Sequence, residues 1–178
     1  VGITPEFSTP LKEQSCFHDY DLVVGADGLN SMVRQQPGFH SETRLLSNFF
    51  AWYGTKKPFD NLTQSFRNSP WGPFNAHHYR YSKKMSTFII ETDRETWERS
   101  GFSKMKDHDR IKACETIFAD VLEGEPLVQN LSTWRQFPVI QCENWFHENM
   151  VLIGDALHTA HFSIGSGTRL ALEDSLAL

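Results

Sequence analysis

The sequence predicts an α/β fold, α+β once its middle is counted, in which two strand-and-turn segments flank an inserted antiparallel sheet. Three observations predict it. First, apolar runs stand at 21–24 and 150–153, the second short enough to be a strand buried on both faces. Each breaks into a small-residue turn with one carboxylate, Asp27 in the first and Asp155 in the second. Second, Leu170, Ala171, Asp174, Ala177 and Leu178 recur at helical spacing after the second turn. Third, the runs between the two segments are rich in aromatic and β-branched residues and have short polar connections, the pattern of antiparallel pairing rather than βαβ units. The corresponding division is 1–46 and 143–178 for the flanking domain and 47–142 for the insertion.

Taken in order, residues 1–19 are polar and irregular. The strand at 21–24 runs into Gly25-Ala26-Asp27-Gly28, where Asp-Gly signals a turn, and Asn30 or Ser31 is suited to cap a short helix ending near Arg34. Strands are predicted at 49–55, 63–67, 74–81 and 85–92, broken by Lys57-Pro58-Phe59-Asp60, Asn68-Ser69-Pro70 and Ser82-Lys83-Lys84. Asp93 is placed to cap a helix over 94–100. A second helix is predicted over 107–122, with Ile111, Cys114, Ile117, Phe118 and Val121 on one face and Gly124 as its stop. A strand over 131–140, with Pro138 near its end, and a turn over 144–149 lead to the last strand. Alternation along 74–81 puts Phe74, Ala76, His78 and Arg80 on one side and Asn75, His77, Tyr79 and Tyr81 on the other. Alternation alone leaves open which side meets a ligand.

The final stretch carries the chemistry. Asp155 can accept hydrogen bonds from a sugar-like hydroxyl. Gly165 and Gly167 let a ligand approach the backbone N–H groups at the start of the last helix, where the dipole favours negative charge.

Gly154-Asp155-Ala156-Leu157-His158 followed by Gly165-Ser166-Gly167-Thr168 resembles the second FAD-binding motif of the flavin-dependent aromatic hydroxylases. GADGLNSMVR, with Asp27, Gly28, Ser31 and Arg34 in order, resembles the same family's other fingerprint. The resemblance implies a partial Rossmann-like FAD/NAD(P)-binding domain with an inserted substrate domain lying over the flavin. It assigns Gly154 and Asp155 to the ribityl turn, and Gly165, Gly167 and Thr168 to the flavin-edge amides. Asp27, Gly28 and Arg34 fall near the pyrophosphate and the path of the nicotinamide cofactor. It implies FAD as cofactor, NAD(P)H as reductant, and hydroxylation of an aromatic substrate by O2 through a flavin C4a-hydroperoxide. The flavin carries the hard step, and the protein orients the substrate and excludes water. His78, Arg80 and His161 are the substrate-side candidates, as groups able to hydrogen-bond a ring substituent or assist its deprotonation. Where the family usually has a proline pair, this chain has His161-Phe162; HFSIGSGT resembles the subgroup that includes the salicylyl-CoA and anthraniloyl-CoA hydroxylases, with an aryl-CoA thioester as the implied substrate.

Other classes are disfavoured. A net charge of −5 without a basic stripe argues against nucleic acid. No segment approaches a membrane span, and VGITPEFST has no signal-peptide pattern. Cys16, Cys114 and Cys142 are scattered without a CxxC pair and read as reduced thiols of an intracellular, cytoplasmic protein. His158 and His161, with Asp155 or His147, invite a metal reading. No helix carries the pair and no cysteine joins it, so loop packing is the expectation and no metal is assigned. Ser163 and Ser166 lie outside any nucleophile elbow, and there is no P-loop.

The chain lacks an initiator Met, stops within helical spacing, and shows no GxGxxG turn in residues 1–26, so it reads as a piece of a longer polypeptide. The alternative is a binding or scaffold module that has kept the fold and lost the cofactor. The isolated chain is expected to hold FAD weakly or not at all, because a glycine turn for the pyrophosphate is not in it. Calorimetric titration with FAD checks this; stoichiometric binding at micromolar affinity or better would overturn it.

Overall fold

A computed structural model of the chain describes residues 2, 4–11, 14–129 and 133–178, without the side chains of 14–16. Among these, the strands are β1 (Val23–Gly25), β2 (Ser41–Thr55), β3 (Thr63–Ser69), β4 (Gly72–Arg80), β5 (Ser86–Thr92), β6 (Leu127–Val128), β7 (Arg135–Cys142), β8 (Phe146–His147) and β9 (Met150–Leu152). The α-helices are α1 (Arg94–Ser100), α2 (Asp107–Ile117), α3 (Ala119–Leu122) and α4 (Gly167–Ala177). The chain divides into two units, Val1–Arg44 with Pro138–Leu178, and Leu45–Phe137. No helix of the described residues is long and apolar enough to cross a membrane.

In the first unit β1 pairs in parallel with β9, in the register Val23↔Met150, Val24↔Val151 and Gly25↔Leu152. A Cβ on Gly25 would stand 2.7 Å from Leu152 Cδ2 and 2.8 Å from Val33 Cβ, so the strands approach this closely only with glycine there. Phe17, Val33, Phe39, Met150, Leu152, Ala156 and Leu157 form the core. The expectation that the strand at 150–153 is buried on both faces holds only in part: Met150 and Leu152 are buried, while Val151 on the other face is partly exposed and Val24 beside it is exposed. The expected turn over 144–149 also proves to hold β8. It makes a hairpin with β9 across Glu148-Asn149, where Glu148 takes a positive φ of 53°. The Asn149 amide ties that turn to the carbonyls of Phe17 and Tyr20, both at 2.8 Å.

The second unit is a sheet in the order β3-β4-β5-β2-β6, antiparallel throughout, with β7 also pairing β2. Its local signals behave as elementary capping rules require. Asp93 accepts from the Thr96 N–H at 2.8 Å and starts α1. The helix predicted over 107–122 is interrupted at Phe118 (φ −108°, ψ 27°), whose ring is fully buried, so tertiary packing overrides the local helical run. The left-handed stop is Glu123 rather than Gly124 alone, with the Glu123 carboxylate paired to Lys57. β6 is an added element. The strand expected from 131 begins at Arg135; Leu131 lies outside the described residues, as does the side chain of Cys16.

One face of this sheet packs on the helices. Ala51, Tyr53, Phe74, Ala76, Phe88 and Ile90 share a core with Trp97, Phe102, Cys114, Phe118 and Leu122. Trp97 stacks on Phe49 at 4.6 Å, and the Trp134 indole donates to the Tyr53 hydroxyl at 2.9 Å. Such aromatic pairs add ~0.5–1.5 kcal/mol each beyond area burial. Burial pushes the Tyr53 phenol and the Cys114 thiol well above their ordinary values.

His78 belongs to this face. Its ring lies 4.1 Å from Phe59 and 5.3 Å from Phe88, and Nε2 meets Ser65 Oγ at 2.9 Å. Desolvation, with smaller contributions from His77 and Arg67, lowers its pKa from 6.5 to about 4. The native state therefore binds fewer protons than the unfolded chain between these values, so stability rises with pH across that window. His78 is expected to contribute stability fully above pH 6.5 and to lose it as pH falls towards about 4. Urea denaturation between pH 7 and 4 checks this: His78→Phe should flatten the slope, and an unchanged slope would assign it to other groups.

Candidate functional site

Parallel pairing of β1 and β9 brings their carboxyl ends to one edge, where open α/β sheets place ligands. The ladder continues one step further, Ile153 N–H donating to Gly25 O at 3.1 Å, and then the two chains part. They open a cavity of about 400 Å³. Ala26 and Gly28 line it from the first loop, Ile153, Gly154 and Asp155 from the second, and Gly167, Thr168 and Ala171 from the start of α4.

Each wall has a local cause. Gly154 adopts φ +59°, and a Cβ on it would stand 3.2 Å from Ala171 Cβ, so glycine permits both the turn and the contact with α4. A single 3-10 turn over Gly154–Ala156 then presents Asp155 outwards. Its carboxylate is exposed, and no hydrogen bond from the described residues engages it. Gly165 in the left-handed conformation (φ 67°) ends a second 3-10 turn, Phe162–Ile164. At the start of α4 the Ser166 side chain makes no capping bond, so the first-turn N–H groups of an 11-residue helix stay available beside the cavity. A Cβ on Gly28 or Gly167 would meet nothing within 4 Å, which leaves the backbone of both loops open to a ligand. The exposed carboxylate can accept from ligand hydroxyls, and the glycine-lined backbone and helix N-terminus can donate to an acceptor or anionic group.

Two charged side chains hold this arrangement from behind. Asp174 Oδ2 accepts from the Gly154 N–H at 2.8 Å and lies 3.0 Å from His158 Nε2, with its side chain only 8% exposed. It ties α4 to the Asp155 turn. Arg34 is buried; it donates to Ala156 O at 2.7 Å, to Asp155 O at 3.4 Å, and also to Leu29 O. Asp27 Oδ2 accepts from the N–H groups of Met32 (2.6 Å) and Val33 (3.3 Å), and Ser31 Oγ from Arg34 N at 2.9 Å. The segment they cap is a run of turns rather than the expected helix.

The expected cofactor residues thus separate into two groups. Gly28, Gly154, Asp155, Gly167 and Thr168 line one cavity. Gly165 sets the turn before α4, while the side chains of Asp27 and Arg34 are engaged with backbone in their own unit. Asp174 carried no functional expectation, although an acidic residue on the inner stripe of α4, beside Leu170 and Ala171, was its available signal. A larger hollow of about 520 Å³ in the same unit includes His40, Glu42, Cys142, Glu143 and His158. It gathers two carboxylates and none of the open glycine backbone, so the smaller cavity is the better match to a ligand that brings both hydroxyls and an acceptor or anionic edge.

The substrate-side candidates have distinct surroundings. His78 is enclosed in the second unit's core. Arg80 is exposed, 3.9 Å from Asp60. His161 Nδ1 lies 2.7 Å from Ser163 Oγ and its ring 4.1 Å from that of Phe162. His158 and His161 have different partners, and no group of three His, Cys, Asp or Glu among the described residues could hold a metal ion.

Asp174→Ala is expected to lower the unfolding free energy by roughly 1.5–3 kcal/mol, the usual size of a lost hydrogen bond to a charged group. Asp174→Asn, which keeps one acceptor, should lose less. Chemical denaturation measures both, and equal stability of all three proteins would refute the tie.

The FAD binding domain family matches residues 2–178. The chain is 38% identical over 187 residues to a salicyloyl-CoA 5-hydroxylase of Streptomyces sp, covering 99% of this chain and 36% of that protein. It is 40% identical over 162 residues to the 3-hydroxy-4-methyl-anthranilyl-[aryl-carrier protein] 5-monooxygenase of Streptosporangium sibiricum, covering 90% and 42%. Its fold is similar to that of a 2-methyl-3-hydroxypyridine-5-carboxylic acid oxygenase variant, with a TM-score of 0.67 at 16% identity over 85% of this chain and 42% of that one. The chain therefore spans less than half the length of these relatives. Two fingerprint loops on one cavity, and a match along nearly the whole chain, lead to one conclusion: the chain belongs to the FAD-dependent aromatic hydroxylase family.

Proposed function

We propose that the whole protein is an FAD-dependent, NAD(P)H-using monooxygenase that hydroxylates an aromatic ring presented as an aryl thioester. The observation that carries this reading is the cavity where the two fingerprint loops and the α4 N-terminus meet around an exposed carboxylate. The thioester part is supported by the names of the two relatives, one acting on salicyloyl-CoA and the other on a carrier-bound anthranilyl group.

When bound, FAD supplies the electron transfer and oxygen activation that no side chain provides. This chain's residues bind and orient it. Asp155 accepts hydrogen bonds from ribityl hydroxyls, and Gly154 keeps the turn close to α4. The α4 N–H groups, with Gly167 and Thr168 at their head, favour negative charge at the adjoining ring edge. Asp174 and Arg34 keep these groups in place, so little reorganisation is needed when charge develops. We assign substrate contact in the second unit to the face carrying Asn75 and His77, because the face carrying His78 is filled by the unit's own helices.

Asp155→Ala in the whole protein is expected to weaken FAD binding by about one to two decades, from the loss of a charge-assisted hydrogen bond of roughly 1.5–3 kcal/mol. Flavin fluorescence titration reads the change. Unchanged affinity would remove Asp155 from the ribityl role, and a purified whole protein without visible flavin bands would defeat the reading itself.

A further inference from the structure

The sheet face turned away from the helices carries polar groups where packing alone would place apolar ones. Asn48 on β2, Glu91 on β5, Asn75 and His77 on β4, and Gln64 on β3 lie across four adjacent strands. Asn75 stands opposite Glu91 in the ladder, and Gln64 opposite His77. The Asn48 amide donates to Glu91 Oε1 at 2.9 Å. Asn75 Nδ2 lies 3.1 Å from His77 Nε2, and Gln64 Nε2 lies 3.0 Å from both ring nitrogens of His77. His77 is 5% exposed and Glu91 9%.

These contacts orient Asn75 through its amide nitrogen and leave its oxygen over. Asn75 Oδ1 is buried and has no hydrogen-bond partner among the described residues. A buried amide oxygen without a donor is costly, and native proteins rarely keep one without a use. Beside it in the ladder stands a carboxylate, so this part of the face is rich in acceptors. A ligand group placed here must bring a hydrogen, and an anionic group is disfavoured.

We infer that Asn75 is a specificity-determining residue whose side-chain oxygen accepts a hydrogen bond from an O–H or N–H on the ring of an aryl thioester. His77, held by Gln64, is its positioning partner. The inference rests on the monooxygenase reading above and adds which ring substituent is selected and by which atom. A ring with a hydroxyl or amino donor is bound in preference to the same ring without one, because the bare ring leaves the acceptor unpaired.

The test is calorimetric binding of salicyloyl-CoA and benzoyl-CoA, which differ by one hydroxyl, to the whole protein and to one variant. Flavin content is read separately by visible absorbance, so failure of the flavin reading is seen independently of ring selection. Wild type should prefer salicyloyl-CoA by about tenfold or more. Asn75→Leu should bring the ratio close to one by weakening salicyloyl-CoA alone. Far-ultraviolet circular dichroism of Asn75→Leu that matches wild type, with benzoyl-CoA binding unchanged, shows that the strand still folds. A wild-type protein that binds the two thioesters equally, or binds neither, overturns the inference; so does Asn75→Leu with the wild-type ratio.

Discussion

The hydrogen bonds from the buried Arg34 guanidinium to the carbonyls of Asp155 and Ala156 join the chain's early fingerprint to its late one. A guanidinium removed from water must have its donors engaged, and carbonyls of the turn meet that demand while fixing the turn's path. From the other side Asp174 receives the Gly154 N–H and stands beside His158. Between these two contacts the backbone of residues 154–156 has little freedom. Asp155 can point outwards because the residues around it are held inwards.

This explains why the expected cofactor residues divide as they do. Glycines and the exposed carboxylate line the cavity, since a ligand needs close backbone approach and an available acceptor. Asp27 and Arg34 shape the walls through caps and carbonyl contacts. A motif therefore records residues that support a site as well as residues that touch its occupant. Spacing in the sequence does not separate the two, because both demand the same residue type at the same position.

The second unit shows the same division on a larger scale. Period-two alternation gives β4 two sets of side chains with histidine in both. Packing of Trp97, Phe102, Phe118 and Leu122 against Phe74, Ala76, Phe88 and Ile90 fills one side and takes His78 with it, suppressing its protonation. Asn75 and His77 are left on the other side within a network of amides. Neighbouring histidines on one strand thus have opposite environments from a single backbone pleat.

By itself the sequence determined the elements with strong local causes. These are the parallel-type strands running into acidic turns, the four main strands of the insertion, the Asp93 cap, and the glycine-led start of α4. These follow from periodicity, capping and the restricted backbone of turns, all of which act within a few residues. What only the tertiary structure decided depends on contacts distant in sequence. Those contacts interrupted the helix at Phe118, turned Arg34 inwards, set Asp174 beneath Gly154, and chose which face of β4 the helices cover. Each was settled by burial and by partners up to 122 residues away for Arg34 and Ala156, a separation at which no local propensity carries information.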